Sequence, residues 1–230
     1  RIDRSSTTLT ISDLFVIAEQ LGCVWKLEKL CRNKALKAAV EKPENVKLFL
    51  NVDGNIIQDK AFIQGFTNRK AMKAGVPASD IVFEITERSD IENYQILQQI
   101  MKHYADQGYE IALDDVGAGH SGLNRVVNTT PDYLKADIEL VRDIHKYKKK
   151  EIMMKLLLDY CNATGAILIA EGIETAQELE CLHSLGVHYG QGFFLGKPER
   201  AFGNISAESE EILERLNGRK NILFLDISGK

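Results

Sequence analysis

Short apolar runs alternate with longer amphipathic stretches along most of the chain. The runs have the length of strands, and the stretches between them space their apolar residues three and four apart, as helices do. A strand, a helix and a second strand in succession favour parallel strands, because the crossover helix returns the chain to its starting edge. The pattern therefore predicts an α/β fold with parallel strands at residues 47–52, 81–85, 110–113, 131–137, 166–170 and 187–195.

Polar side chains recur at or near the ends of these predicted strands. The run 166–170 (AILIA) is apolar at every position, which is typical of a parallel strand covered by helices. In a (β/α)8 barrel the carboxyl ends of the strands meet on one face, where active sites are built. The positions favour a barrel over an open sheet, and they predict that one face collects Asn51, Glu84, Asp114, Asp115, Lys135, Glu171 and Gln191.

The segment 110–123 (EIALDDVGAGHSGL) places two adjacent acids directly after an apolar run. Since side chains alternate between the two faces of a strand, Asp114 and Asp115 cannot both line one face of a regular strand. We therefore expect the strand to end at the acids, with a glycine-rich turn over a metal or phosphate site. The alternative is a solvated turn rich in aspartate and glycine.

Composition narrows the classes of partner. With 230 residues, 44% of them hydrophobic, the chain is long enough for one barrel domain. A formal charge of −4 argues against a general DNA, RNA or membrane-surface binder. The four cysteines lack paired spacing, so we expect reduced thiols and a cytoplasmic location. No apolar run has the roughly 20 residues that cross a bilayer.

The polar set at the strand ends predicts a metal site. Carboxylates with an asparagine oxygen, and without a thiolate or histidine cluster, suit Mg²⁺ or Mn²⁺ better than Zn²⁺. Adjacent acids suggest two ions about 3.5–4 Å apart that act on a phosphoryl group, with Lys135 as the cationic partner. When each residue is considered alone, an alternative to a role in the metal site stays open: Glu84 could face solvent, and Lys135 could pair with an acid near Asp137.

The chain resembles the EAL-domain family of cyclic di-GMP phosphodiesterases from about Arg1 to Pro198. The matching motifs, in the family's order and spacing, are LFLNV, FEITE, ALDDVGAGHSGL, PDYLKAD, LIAEGIET and YGQGFFLGKP. The resemblance implies a modified TIM (β/α)8 barrel with one antiparallel strand that hydrolyses cyclic di-GMP to linear pGpG with Mg²⁺ or Mn²⁺. It also implies these site residues: metal ligands Asn51, Glu84, Asp114 and Asp115; Glu171 as the base or water-orienting group; and Lys135 as its electrostatic partner.

Further residues match supporting positions of the family. Glu87 would brace the glycine loop, and the other substrate-binding or supporting residues are Arg1, Asp137, Glu174 and Gln191. The resemblance divides the chain into a barrel, 1–200, and a C-terminal helix with a further strand or linker, 201–230. It implies cyclic di-GMP as ligand, a homodimer, and sensory or diguanylate-cyclase-type domains elsewhere in a longer protein.

Two departures from the family pattern leave the activity open. Val116, Ala118 and His120 replace the usual residues of the glycine loop, and the EAL tripeptide, whose Glu is a family metal ligand, is absent from the chain. Either that Glu lies just upstream of Arg1 in a longer protein, or this ligand has been lost. One hypothesis is an active phosphodiesterase; another is an impaired domain that acts as a cyclic di-GMP receptor. A third is a Mg²⁺ barrel that removes a proton beside a carboxylate with Lys135 as base, which adjacent Asp114 and Asp115 disfavour.

Overall fold

The computed structural model describes residues 9–54, 56–85, 94–117, 122–198 and 202–217. The strands are β1 (Leu48–Val52), β2 (Ile81–Ile85), β3 (Glu110–Val116), β4 (Tyr133–Ala136), β5 (Ile167–Ala170) and β6 (Tyr189–Gly190). The α-helices are α1 (Ile11–Gln20), α2 (Val24–Ala38), α3 (Phe66–Ala74), α4 (Tyr94–Ala105), α5 (Gly122–Val127), α6 (Ile138–Val141), α7 (Lys148–Thr164), α8 (Ala176–Leu185) and α9 (Ala207–Asn217).

The strands form one sheet in chain order, β1 to β6, and every neighbouring pair in it is parallel. The sheet is curled. The ring centroids of Phe49 on β1 and Tyr133 on β4 are 5.4 Å apart, although two strands lie between them. In a flat sheet three strand spacings would separate them by about 14 Å. The predicted antiparallel strand is not among the strands in the described ranges.

The two faces of the curled sheet have different neighbours. Inward-facing residues of five strands form a small apolar layer, which we call the barrel floor: Phe49, Val82, Ala112, Tyr133 and Ile169. The outward-facing residues, for example Leu50 and Phe83, belong to the main core, which they share with helix residues such as Trp25 and Leu36 of α2. This division into an inner layer and an outer helical shell is what a barrel requires.

Several sequence-based boundaries were wrong for identifiable reasons. The apolar spacing over residues 138–164 predicts a single helix, but the structure has two, α6 and α7, because Asp143 adopts a positive φ of 57° and a short 3₁₀ turn follows. The apolar spacing over residues 24–40 predicts that Leu30 and Val40 belong to the core, but they are 52% and 60% exposed. Leu30 is five residues from Trp25, which at 3.6 residues per turn places it on another face of α2.

At the C-terminal end, α9 packs on the barrel. The hydroxyl groups of Ser206 and Ser209 donate to the carbonyl of Phe194 at 2.8 and 2.7 Å, and Leu213 is buried in the main core. The predicted final strand at residues 222–225 lies outside the described residues, and the division at residue 200 stays a prediction. No helix in the described part of the chain is long and apolar enough to cross a membrane.

Candidate metal and phosphodiester site

The candidate site lies directly above the barrel floor. Each predicted strand-end residue except Asp115 follows an inward-facing residue by two positions, as Glu84 follows Val82 and Lys135 follows Tyr133. Since strand side chains have a period of two, both members of such a pair face the barrel axis. The same spacing relates Asn51 to Phe49, Asp114 to Ala112, Glu171 to Ile169 and Gln191 to Tyr189.

Lys135 is the centre of the site. Its side chain is 1% exposed, and its Nζ lies 2.6 Å from Glu84, 3.0 Å from Asp114 and 2.5 Å from Glu171. Burial alone would lower the pKa of Lys135, but the carboxylates of Glu84, Asp114 and Glu171 outweigh it and raise that pKa above its ordinary value. We call these four residues the Lys135 cluster; its lysine stays charged, so it does not serve as a general base.

Asp114 and Asp115 reach the site through an irregularity in β3. The pairing of β3 with β4 shifts between Leu113 and Val116, so three steps along β3 match two along β4. Asp115 has a positive φ of 58°, and Val116 points into the outer core although regular alternation would turn it inward. This is the geometry of a β-bulge, which leaves one extra residue unpaired and re-aims its side chain.

The bulge corrects one sequence-based expectation. The strand does not end at the acids but continues to Val116. That expectation assumed that two adjacent residues face opposite sides of the strand, which holds where the backbone is regular. The extra residue at Asp115 removes the restriction without ending the strand. Asp114, Asp115 and Glu171 each offer a carboxylate oxygen within 4.8 Å of the other two, a spacing at which they could hold a metal ion.

Gln191 fixes the orientation of Glu171. Its side-chain amide donates a hydrogen bond to the same carboxylate oxygen that faces Lys135. Backbone hydrogen bonds join the two loops concerned, from Gln191 N–H to the Ala170 carbonyl at 2.8 Å and from Ile173 N–H to the Gln191 carbonyl at 3.0 Å. A Cβ atom at residue 192 would lie 2.1 Å from the Ile173 carbonyl oxygen, so only glycine permits this approach at Gly192.

The remaining predicted residues lie around the cluster rather than within it. Asn51 pairs with Glu84 in the register of β1 and β2, and its side chain is exposed. Asp137 caps α6, since its carboxylate accepts the Glu139 N–H at 2.7 Å. Glu174 is exposed and forms an ion pair with Arg142 at 2.8 Å. Arg1, Glu87, Ala118 and His120 lie outside the described residues.

Sequence reasoning missed a buried carboxylate beside the site, Glu178 on α8. It accepts the N–H groups of Asp143 at 2.8 Å, Glu174 at 2.9 Å and Thr175 at 3.0 Å, and so joins the loop after β5 to the loop after α6. Burial opposes its charge, but these N–H groups outweigh it and lower the pKa of Glu178. The spacing of Thr175 and Glu178, a capping box at the start of α8, was the available signal.

Comparison with known proteins gives a family match over most of the chain. A family model described as the EAL domain matches residues 1–198. A curated relative, cyclic di-GMP phosphodiesterase PdeA of Borreliella burgdorferi, is 25% identical over 201 residues, which cover 86% of this chain and 30% of that protein. The chain spans 17%, 30% and 24% of the length of three curated relatives that it matches.

Solved structures of similar fold contain cyclic di-GMP. The BlrP1 protein of Klebsiella pneumoniae, as a manganese and cyclic di-GMP complex, has a TM-score of 0.77 and 28% identity and covers 85% of this chain and 50% of its own. A standalone EAL protein of Vibrio cholerae, bound to cyclic di-GMP, has a TM-score of 0.75 and 25% identity, covering 85% and 84%. The predicted TIM-barrel-like α/β fold is confirmed.

Proposed function

Since the chain belongs to the EAL domain family, we propose that it carries the catalytic unit of a metal-dependent phosphodiesterase that hydrolyses cyclic di-GMP to linear pGpG. The observation that carries this proposal is the grouping of Asp114, Asp115 and Glu171 within 4.8 Å beside a buried lysine. The complexes of similar proteins with manganese and cyclic di-GMP support the choice of ligand and metal class.

The donor set fits divalent cations. Three carboxylates, those of Glu84, Asp114 and Glu171, contact Lys135, and that of Asp115 lies within 4.8 Å of Asp114 and Glu171, so acids outnumber cations among these five residues. Buried charge of one sign is costly unless it is paired or bound to metal. Carboxylate oxygens are the ligands that Mg²⁺ and Mn²⁺ prefer. We propose that Glu84, Asp114 and Asp115, together with Asn51, hold two such ions.

The protein residues have separate roles in this proposal. Bound ions would supply Lewis acidity to the phosphoryl group and lower the pKa of a bound water. Lys135 draws three carboxylates together and reduces their mutual repulsion, while Gln191 and Lys135 keep the Glu171 carboxylate in one orientation. We assign Glu171 to orient the attacking water and accept its proton, and we assign Asp137 and Glu174 to support the loops at the rim.

We propose that this chain is part of a longer signalling protein that acts in the bacterial cytoplasm. Cys23, Cys31, Cys161 and Cys181 are free thiols, which suits a reducing compartment. The curated relatives are several times longer than this chain, which supports the proposal of additional sensory or diguanylate-cyclase-type domains. Homodimer formation stays a prediction.

The experiment that tests the proposed function separates hydrolysis from binding. The purified protein is incubated with cyclic di-GMP and Mg²⁺ or Mn²⁺, and the nucleotides are separated by chromatography. We expect pGpG with either ion and none with Ca²⁺, because the longer, looser coordination of Ca²⁺ misplaces its ligands. Equilibrium dialysis measures nucleotide binding in parallel. Tight binding without product under both activating ions would make the protein a cyclic di-GMP receptor instead.

A further inference from the structure

A second buried group of charges lies outside the barrel, on α2. Glu28 and Arg32 are each 2% exposed and form an ion pair one helical turn apart. They share a face with Trp25 and Leu36, because residues three, four and seven positions apart stack along one side of a helix. Burial raises the pKa of Glu28 to about 7 despite Arg32. A buried ion pair of this kind contributes little to the free energy of folding, so its presence points to a role other than stability.

Arg32 joins three further elements to this pair. Its guanidinium donates to the Thr67 hydroxyl on α3 at 3.2 Å and to the Tyr104 hydroxyl on α4 at 3.0 Å. It also lies 5.0 Å from the ring centroid of Phe83 on β2. Phe83 immediately precedes Glu84, one of the carboxylates that face Lys135. The guanidinium is thus held on several sides at once, which fixes the direction in which it presents Glu28.

Glu28 uses its other oxygen to hold the end of β1. Its Oε1 accepts the N–H of Asp53 at 2.6 Å, while Oε2 faces Arg32. Asp53 directly follows β1 and is two residues after Asn51, which is a predicted ligand of the site. The position of the β1 end therefore depends on a carboxylate that is itself oriented by Arg32. We call Glu28, Arg32, Thr67 and Tyr104 the Glu28 network.

We propose that Glu28 and Arg32 are positioning residues that fix the end of β1 and, through it, the oxygen of Asn51 in the candidate metal site. The proposal rests on the proposed function, because it takes Asn51 as a ligand. Partners behind a ligand typically change metal affinity or activity by about 10- to 100-fold when they are removed. A purely structural pair would behave differently, since well-packed apolar residues often replace a buried ion pair without loss of stability.

Two double variants separate positioning from stability. Glu28→Met with Arg32→Met removes both charges and the acceptor for the Asp53 N–H. Glu28→Gln with Arg32→Met also removes both charges but keeps a side-chain oxygen for that N–H. We expect both to unfold near the wild-type urea midpoint. Only the first should weaken Mn²⁺ binding, measured by titration calorimetry, by about 10- to 100-fold, and only the first should speed amide hydrogen exchange at Asp53.

The controls keep the outcomes distinct. Met154→Ala lowers the urea midpoint by opening a cavity under α7, far from β1 in the chain, and should leave Mn²⁺ affinity and Asp53 exchange unchanged. Wild-type Mn²⁺ affinity or unchanged Asp53 exchange in the double methionine variant would overturn the positioning role. Absence of hydrolysis by the wild-type protein would count against the proposed function alone, because the Asp53 exchange is measured without metal or nucleotide.

Discussion

The Lys135 cluster and the Glu28 network are both buried groups of charge, but their charge balance differs. In the Glu28 network one carboxylate meets one guanidinium, and Asp53, Thr67 and Tyr104 supply neutral hydrogen-bond partners. In the Lys135 cluster one ammonium meets three carboxylates, and Asp115 lies within ligand distance of two of them. Among these residues, carboxylates outnumber cations in the second group but not in the first.

This difference suggests how a buried scaffold can be told from a buried binding site. A one-to-one ion pair does not require an added ion, so we infer that its role is to position the backbone that it contacts. A group in which carboxylates outnumber cations at the carboxyl ends of parallel strands is stabilised by added cations, which supports the proposal of a metal site there. Changing one charge at a time in each group tests the distinction, and the expected effects decrease from the metal ligands to the scaffold.

The largest effect is expected for Asp114→Asn. The change removes a charge that both Lys135 and the proposed ions share, without altering the size of the side chain. Turnover of cyclic di-GMP should fall to background, and Mn²⁺ affinity should fall by more than the roughly 100-fold typical of partners behind a ligand. Calorimetry and chromatography measure the two quantities. Retained Mn²⁺ binding at wild-type affinity would contradict the assignment of Asp114 as a ligand.

Glu171→Gln should reduce the rate while leaving nucleotide binding intact. The glutamine keeps the hydrogen-bonding shape next to Gln191 but does not accept the proton of the attacking water. The expected loss in kcat is about 10²–10⁴-fold, the usual contribution of a general base. Single-turnover kinetics with saturating Mn²⁺ measures it. Gln191→Ala, which removes only the orienting amide, should reduce kcat by a smaller factor. Equal losses of kcat in the two variants would contradict separate roles for the base and for the amide that orients it.

Lys135→Met should lower stability in a way that metal ions reverse. Without its ammonium, three buried carboxylates lose the cation that they share, and removing one partner of a buried pair typically costs about 3–5 kcal/mol of unfolding free energy. Urea unfolding measures the loss, and Mg²⁺ should recover part of it. Arg32→Met is the matched variant: we expect a loss of similar size that Mg²⁺ leaves unchanged. Equal recovery in both would remove the distinction between site and scaffold.

The smallest effect is a pH dependence of stability from the two missed carboxylates. Glu28 has its pKa raised to about 7 in the folded protein by burial, so its contribution is most favourable at low pH and declines as pH rises from about 4.5 to about 7. The lowered pKa of Glu178 gives the opposite sign, a contribution that is lost as pH falls below its ordinary range. Relative to wild type, Glu28→Gln should gain stability as pH rises from about 4.5 to about 7, whereas the deficit of Glu178→Gln should shrink as pH falls below about 4.5. Urea midpoints on both sides of pH 4.5 measure the two effects.

The strand-end residues were predictable from sequence because two simple rules place them. The period of two along a strand and the shared direction of parallel strands are enough to bring Glu84, Lys135 and Glu171 to one face. The observed contacts of Lys135 with both acids agree with that expectation. Their roles as ligand, base or electrostatic partner came from the family resemblance and stay predictions.

The bulge and the Glu28 network were not predictable in the same way. Alternation along β3 gave the wrong end of the strand, because an extra residue in one strand has no signature in the apolar pattern. On α2 the core was sought among apolar residues, so Leu30 was included and Glu28 was left out. A buried charge is recognisable only once its partners are known, and those of Glu28 come from segments 4 and 25 residues away.

The barrel floor has a consequence for the order in which molecules enter and leave. Phe49, Val82, Ala112, Tyr133 and Ile169 close the space beneath the site on the five strands that carry them. Under the proposed function, water and nucleotide would therefore reach these carboxylates from the loop side, and the product would leave by the same opening. A linear product still in that opening would block the next substrate, so added pGpG should act as a competitive inhibitor.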